Sequence, residues 1–96
     1  MKVGDYVKMS YVSDKWYKGT LLKKGDIGTI KNIDKRDNTI GIEFLKKING
    51  HDLQLAETII IKCKKKHGYW IQPQHLKPAT PTEIKLYKQA LIEEEI

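Results

Sequence analysis

The sequence predicts a mainly β domain: a small antiparallel barrel or sandwich of five short strands followed by a C-terminal α-helix. Three observations carry this. Alternating or β-branched apolar segments recur at roughly ten-residue spacing. Turn signals rich in Gly, Asn and Asp separate them. Near the end, Thr80-Pro81-Thr82-Glu83 reads as a helix start, with Thr80 at the N-cap, Pro81 at the first helical position and Glu83 reaching back. At 96 residues the chain is one domain's worth, divided as a barrel over 1–78 and a helix over 79–96.

The first strand alternates, with Val3, Val7, Met9 and Tyr11 on one parity and Tyr6, Lys8 and Ser10 on the other. Residues 13–20 form a polar loop that carries Trp16 and Tyr17, and Lys24-Gly25-Asp26 is the next turn. Ile27 to Ile33 lacks clean alternation, and Gly28 predicts a bulge or sharp bend there. Thr39 to Phe44 alternates cleanly, so the two segments form a hairpin. Residues 45–57 are an excursion containing the turn Asn49-Gly50-His51-Asp52. Thr58 to Cys63 is a β-branched strand, Lys64-Lys65-Lys66-His67-Gly68 its turn, and Tyr69-Trp70-Ile71 the last short strand. Pro73 to Leu76 reads as one helical turn that drops Leu76 into the core. The predicted core is Ile30, Ile40, Ile42, Phe44, Ile60 and Leu76. In the helix, Ile84, Tyr87 and Leu91 share a face, and Glu93, Glu94 and Glu95 at the negative end of the dipole predict fraying.

No apolar run approaches the roughly 18 residues of a membrane span. The opening residues lack the apolar stretch of a signal peptide. Cys63 has no partner for an internal disulfide, which fits a reducing, cytoplasmic compartment. The net charge is +6, distributed unevenly: residues 1–80 hold 16 basic against 8 acidic side chains, while residues 81–96 hold two against four. A basic body points to an anionic partner and excludes an acidic nucleic-acid mimic. A single arginine, Arg36, amid many Lys and Ile residues is also what an AT-rich genome produces without any selection for binding.

Lys2-Val3-Gly4-Asp5-Tyr6-Val7, Lys24 to Ile30 and Ile40 to Phe44 resemble the opening of SH3-like barrels, the KOW-type and Mind-bomb-type repeats among them. Gly50-His51-Asp52-Leu53, then His67-Gly68-Tyr69-Trp70-Ile71 and Pro73-x-x-Leu76, are similar to small SH3-like proteins of bacteriophages and prophages. The resemblance covers about residues 2–78. It implies a five-stranded SH3-like barrel, a phage or mobile-element origin and a bacterial cytoplasm. It implies no activity. Leu53-Gln54-Leu55-Ala56-Glu57 stands where such relatives are expected to carry a Cys- and Gly-rich stretch.

Catalysis is not expected. Cys63 lies in an apolar strand, where a thiol behaves as a small hydrophobe, and no nucleophile elbow, P-loop or supported carboxylate pair is present. Cys63, His51, His67 and His75 are donors of the right types for zinc but lack a Cys-x2-Cys half-site, so no metal and no cofactor is expected. A thiol or metal-dependent enzyme is the remote alternative. Partner binding is assigned to Trp16, Tyr17, Lys64, Lys65, Lys66 and Tyr69, with His51, His67, Lys46 and Lys47 as secondary candidates and Tyr11 as a further wall. Aromatics anchor interfaces and lysines steer anionic partners. The leading expectation is a non-enzymatic module docking on a host protein or nucleoprotein complex, host-defence components included, as the resemblance implies. The alternative is a nonspecific single-strand nucleic-acid binder, with lysines on phosphates and aromatics stacking bases. The scarcity of Arg speaks against base reading in a groove.

Overall fold

A computed structural model describes residues 1–13 and 15–94; Asp14 of the first loop and Glu95, one of the three glutamates expected to fray, lie outside them, as does Ile96. The chain runs β1 (Tyr6–Met9), β2 (Ile27–Asp34), β3 (Thr39–Phe44), β4 (Leu53–Ala56), β5 (Ile59–Ile61), β6 (Gly68–Ile71), a 3-10 turn (Pro73–His75), β7 (Leu76–Pro78) and α1 (Pro81–Glu94). Five strands form one antiparallel sheet in the order β6-β3-β2-β1-β7, and β4 and β5 form a separate two-stranded hairpin.

The expected closed barrel is not formed. β6 and β7 lie at opposite ends of the sheet order, connected through the 3-10 turn rather than by a ladder. Among the described residues there are seven strands rather than five; β4 and β7 are the additions. The sheet curls around a core of Val7, Met9, Leu22, Ile30, Ile40, Ile42, Phe44, Ile48, Ile71 and Leu76, with Tyr17 among them. Of the predicted core, Ile60 is the exception, 47% exposed. Its strand pairs only with β4, so its parity is not set by the main core. Val3 and Tyr11 are also exposed, because β1 ends at Met9 and Gly4 (φ 96°) turns the chain before it.

The irregularity in β2 falls between Ile30 and Asn32, not at Gly28. That register shift turns Ile33 outward and Asp34 inward, which explains the broken alternation. Gly28 serves a different purpose: a Cβ there would come within 2.5 Å of the Ile42 Cγ2 atom and 2.9 Å of the Phe44 Cα. Gly41 sits opposite Trp70, whose ring and the Leu53 side chain cover it. The only arginine is used structurally: Arg36 pairs with Asp34 at 3.3 Å and donates from Nη2 to the Leu55 carbonyl at 3.1 Å, tying the hairpin to the β2–β3 turn. The guanidinium holds the Asp34 carboxyl below the usual carboxylate range.

The helix start is as the sequence predicts. The Thr80 N–H donates to Glu83 Oε1 at 3.0 Å and the Glu83 N–H to Thr80 Oγ1 at 3.2 Å, a reciprocal capping box. Ile84, Tyr87 and Leu91 are half-buried, and no residue of α1 is fully buried among those described. Polar contacts hold the helix instead. Lys8 pairs with Glu83, and the Lys88 ammonium lies 5.1 Å over the Tyr6 ring. The Tyr87 hydroxyl donates to Asp26 Oδ1 at 3.0 Å. No described helix is long and apolar enough to cross a membrane.

Candidate interaction surface

The first loop folds on itself, with the Trp16 and Tyr17 N–H groups bonded to the Ser13 carbonyl. This sends the two neighbouring aromatics in opposite directions. Trp16 is 53% exposed, whereas Tyr17 is 4% exposed and belongs to the core. Tyr17 is therefore corrected from a surface contact to a buried support. Its hydroxyl hydrogen-bonds with His75 Nδ1 at 2.5 Å and accepts from the Gln72 N–H at 3.3 Å. Burial pushes its phenol above the ordinary range, with the Gln72 N–H opposing.

Around Tyr17 a row of five rings assembles. Tyr11 packs on His75 at 5.1 Å, His75 on Tyr17 at 5.6 Å, Tyr17 edge-on against Tyr69 at 6.0 Å, and Tyr69 on His51 at 5.2 Å. The centre of the row is buried, and Tyr11 at one end and His51 at the other are exposed. Five separate segments supply it: Tyr11 follows β1, Tyr17 lies in the first loop, His51 precedes β4, Tyr69 lies in β6 and His75 in the 3-10 turn. His75 is the ring that the site assignment from sequence left out; Tyr17, Tyr69 and His51 were in it, with Tyr11 as a further wall. The Pro73-x-x-Leu76 turn, read only as dropping Leu76 into the core, is the sequence signal that also carries His75 there.

Two glycines fix the far end. A Cβ on Gly50 would collide with the Gly68 carbonyl oxygen, and one on Gly68 with the His51 carbonyl oxygen. Only glycine lets these backbones bond, with the His51 N–H on the Gly68 carbonyl at 2.8 Å. The Ile48 and Gly50 N–H groups both donate to the Lys66 carbonyl at 2.9 Å, and the Leu21 N–H donates to the Ile48 carbonyl at 2.9 Å. The end of the first loop and the lysine turn therefore hang on one residue, Ile48. No ring contact or ion pair joins Trp16 to Lys64, Lys65 or Lys66 among the described residues.

Lys64, Lys65 and Lys66 are exposed, and Lys66 adopts a left-handed φ of 66°. Lys47 is exposed too, but Lys46 is drawn in to pair with the buried Asp26 at 3.0 Å, which removes it from the candidates. His67 is half-buried and donates from Nδ1 to the Phe44 carbonyl at 2.8 Å. His51 does the same locally, to the Asp52 carbonyl at 2.7 Å. The half-buried Cys63 thiol is pushed above its ordinary range by burial and then by the Glu43 and Asp52 carboxylates. Among the described residues no three His, Cys, Asp or Glu side chains converge as a metal-binding group. Compared with protein-family models, with curated proteins and with solved structures, the chain finds no match in any of the three.

Proposed function

We propose that this protein is a non-enzymatic binding module that docks on a macromolecular partner, a host protein or nucleoprotein complex, through the aromatic row and its basic flanks. The observation that carries the reading is the row itself. Its buried pair, Tyr17 and His75, packs directly against Tyr69 and Tyr11. A rigid aromatic ridge with exposed ends is a low-entropy anchor for a partner surface. The exposed Lys65 and Lys66 lie beside His51 at one end of the row and add positive charge, and Trp16 is a further exposed ring on the first loop. The lysines would steer an anionic partner and act on its association rate.

Support for the SH3-like reading comes from strand order. β7 pairs with β1, β1 with β2, β2 with β3 and β3 with β6, and a 3-10 turn precedes the last strand. Phage or mobile-element origin rests on the motif resemblance alone. The non-enzymatic reading is supported by a thiol shifted away from ionisation and by imidazole Nδ1 atoms engaged in structural hydrogen bonds.

The test is a photo-crosslinking amino acid placed at Tyr11, compared with the same group at Lys35 in the β2–β3 turn, in bacterial extract. The reading expects one discrete macromolecular adduct from position 11 that is lost on Trp16→Ala. Identical adduct patterns from the two positions would contradict it.

A further inference from the structure

We propose that two adjoining hollows, separated by the His51-Asp52 backbone, together bind one nucleotide unit, with its base on the Trp70 side and its phosphate on the lysine side. The proposal goes beyond the docking reading. It shares His51 and the lysine turn with that surface, but not Ile60 or Trp70.

The first hollow, about 420 Å³, is lined by His51, Asp52, Gln54, Ile60 and Trp70. It lies between the sheet and the β4–β5 hairpin. Trp70 is half-buried over Gly41, and Ile60 is the β-branched residue that the main core leaves out. A flat apolar ring fits between an indole and a branched aliphatic chain, and Gln54 and the Asp52 backbone supply polar edges. The volume is in the range of small-ligand sites, about 300–1,000 Å³.

The second hollow, also about 420 Å³, is lined by Gly50, His51, Asp52, Lys62, Cys63, Lys65 and Lys66. Asp52 is the one carboxylate lining it; it takes the Cys63 N–H at 3.0 Å and pairs with Lys62 at 3.3 Å. The backbone hydrogen bond from Cys63, then Lys62, holds its carboxyl below the ordinary range, so one anion cancels one cation. Nearby Glu43 is engaged by the Lys64 N–H at 2.8 Å and by Lys31 at 3.9 Å. Lys65 and Lys66 are in no ion pair among the described residues, so the hollow keeps two cations with no acidic partner. That leaves a place for a phosphate, one wall away from a place for a base.

An apolar slot or a lysine cluster alone would accept many ligands. The two hollows share His51 and Asp52 as lining residues, next to the fixed Gly50–Gly68 contact, which favours a ligand that joins a flat ring to an anion. A free mononucleotide and a residue of a single strand share that chemistry. Single-strand binders combine the same two elements, cations on the backbone and rings on the bases.

The experiment uses the full chain carrying Trp16→Phe, so that Trp70 is the only indole. Its emission is followed during titration at low salt with adenosine monophosphate, adenosine, inorganic phosphate and a ten-nucleotide mixed-sequence single strand. Quenching by the monophosphate or by the strand, at least tenfold more effective than by adenosine or phosphate alone, supports the proposal. Quenching by the strand but not the monophosphate assigns the site to a strand; the reverse assigns it to a free nucleotide. Lys65→Gln with Lys66→Gln should weaken binding about tenfold and flatten its salt dependence. Ile60→Ser, at an exposed position, should weaken it without moving the melting temperature by more than a few degrees. No quenching by any nucleotide, equal competition by inorganic phosphate, or indifference to both sets of substitutions would overturn it. Failure here leaves the Tyr11 adduct intact, which separates the two readings.

Discussion

The Tyr17 hydroxyl and the His75 Nδ1 atom, 58 residues apart in sequence, meet 2.5 Å apart beneath an otherwise apolar wall. This bond joins the first loop to the 3-10 turn and sets the planes of the rings on either side. Removing it by Tyr17→Phe leaves the His75 nitrogen and the Gln72 N–H without partners and should cost about 1–3 kcal/mol. Trp16→Ala, one residue away but exposed, should shift the melting temperature by no more than a few degrees. Urea unfolding of both variants checks the contrast, and equal losses would contradict the placement of the two rings.

A similar contrast separates two apolar residues of the predicted core. Phe44 is 1% exposed at the centre of the sheet, so Phe44→Ala should cost roughly 3–5 kcal/mol. Ile60→Ala, on the outlying hairpin, should stay within about 0.5 kcal/mol. Chemical denaturation measures both; a core-sized loss at Ile60 would mean that the hairpin closes onto the main sheet in solution.

Acid should loosen the helix before the sheet. Lys8, and after it the Thr80 N–H, pull the Glu83 carboxyl down to about 2 from 4.5. A carboxyl depressed on folding stabilises above its unfolded pKa, and that contribution is lost as the pH falls through the folded one. Helical circular dichroism should therefore decline between about pH 4.5 and 2. In Lys8→Met the folded carboxyl moves back toward 4.5, so the acid-dependent part of the decline should shrink. A helix signal independent of both acid and Lys8 would remove this tether from the account.

Asp26 is the second tether of the helix. At 5% exposure it accepts the Lys23 N–H at 2.7 Å, the Tyr87 hydroxyl at 3.0 Å and the Lys46 ammonium at 3.0 Å. Asp26→Ala should cost roughly 3–5 kcal/mol, as expected for a buried pair that loses one partner. Tyr87→Phe should be milder, about 0.5–1.5 kcal/mol, and should lower amide protection in α1 more than in β2. Burial, and then the Asp26 charge, push the Tyr87 phenol well above the ordinary range. In an alkaline absorbance titration Tyr87 should be among the last tyrosines to ionise.

The parts of the fold that were legible in sequence are those set by local rules. The capping box at Thr80, the clean alternation of Thr39 to Phe44 and the helical turn at Pro73 each follow from a few adjacent residues. β7 escaped because three residues that include Pro78 carry no alternation, and β4 because its pairing partner is a hairpin neighbour rather than the core. Ile60 shows that a β-branched run predicts a strand but not the face it buries. Barrel closure was overestimated because strand count says nothing about whether the two edges meet. Of the candidate residues, Tyr69 and His51 stand out in sequence through their glycine-flanked motifs. Tyr17 was misplaced because its burial depends on His75, a contact that no local pattern encodes.

A docking face built on the aromatic row must lose affinity when the exposed ends of the row are removed. Once the Tyr11 adduct identifies a partner, its affinity is measured for the wild-type chain, for Tyr11→Ala with His51→Ala, and for Lys64, Lys65 and Lys66 all changed to Glu. Both exposed ends of the row are removed in the first variant while the buried Tyr17–His75 pair stays, so folding should be preserved. The account predicts at least a tenfold loss of affinity for the row variant, with the melting temperature within a few degrees of wild type. For the charge-reversed variant it predicts slower association with weaker salt dependence. Wild-type affinity in the row variant would contradict it.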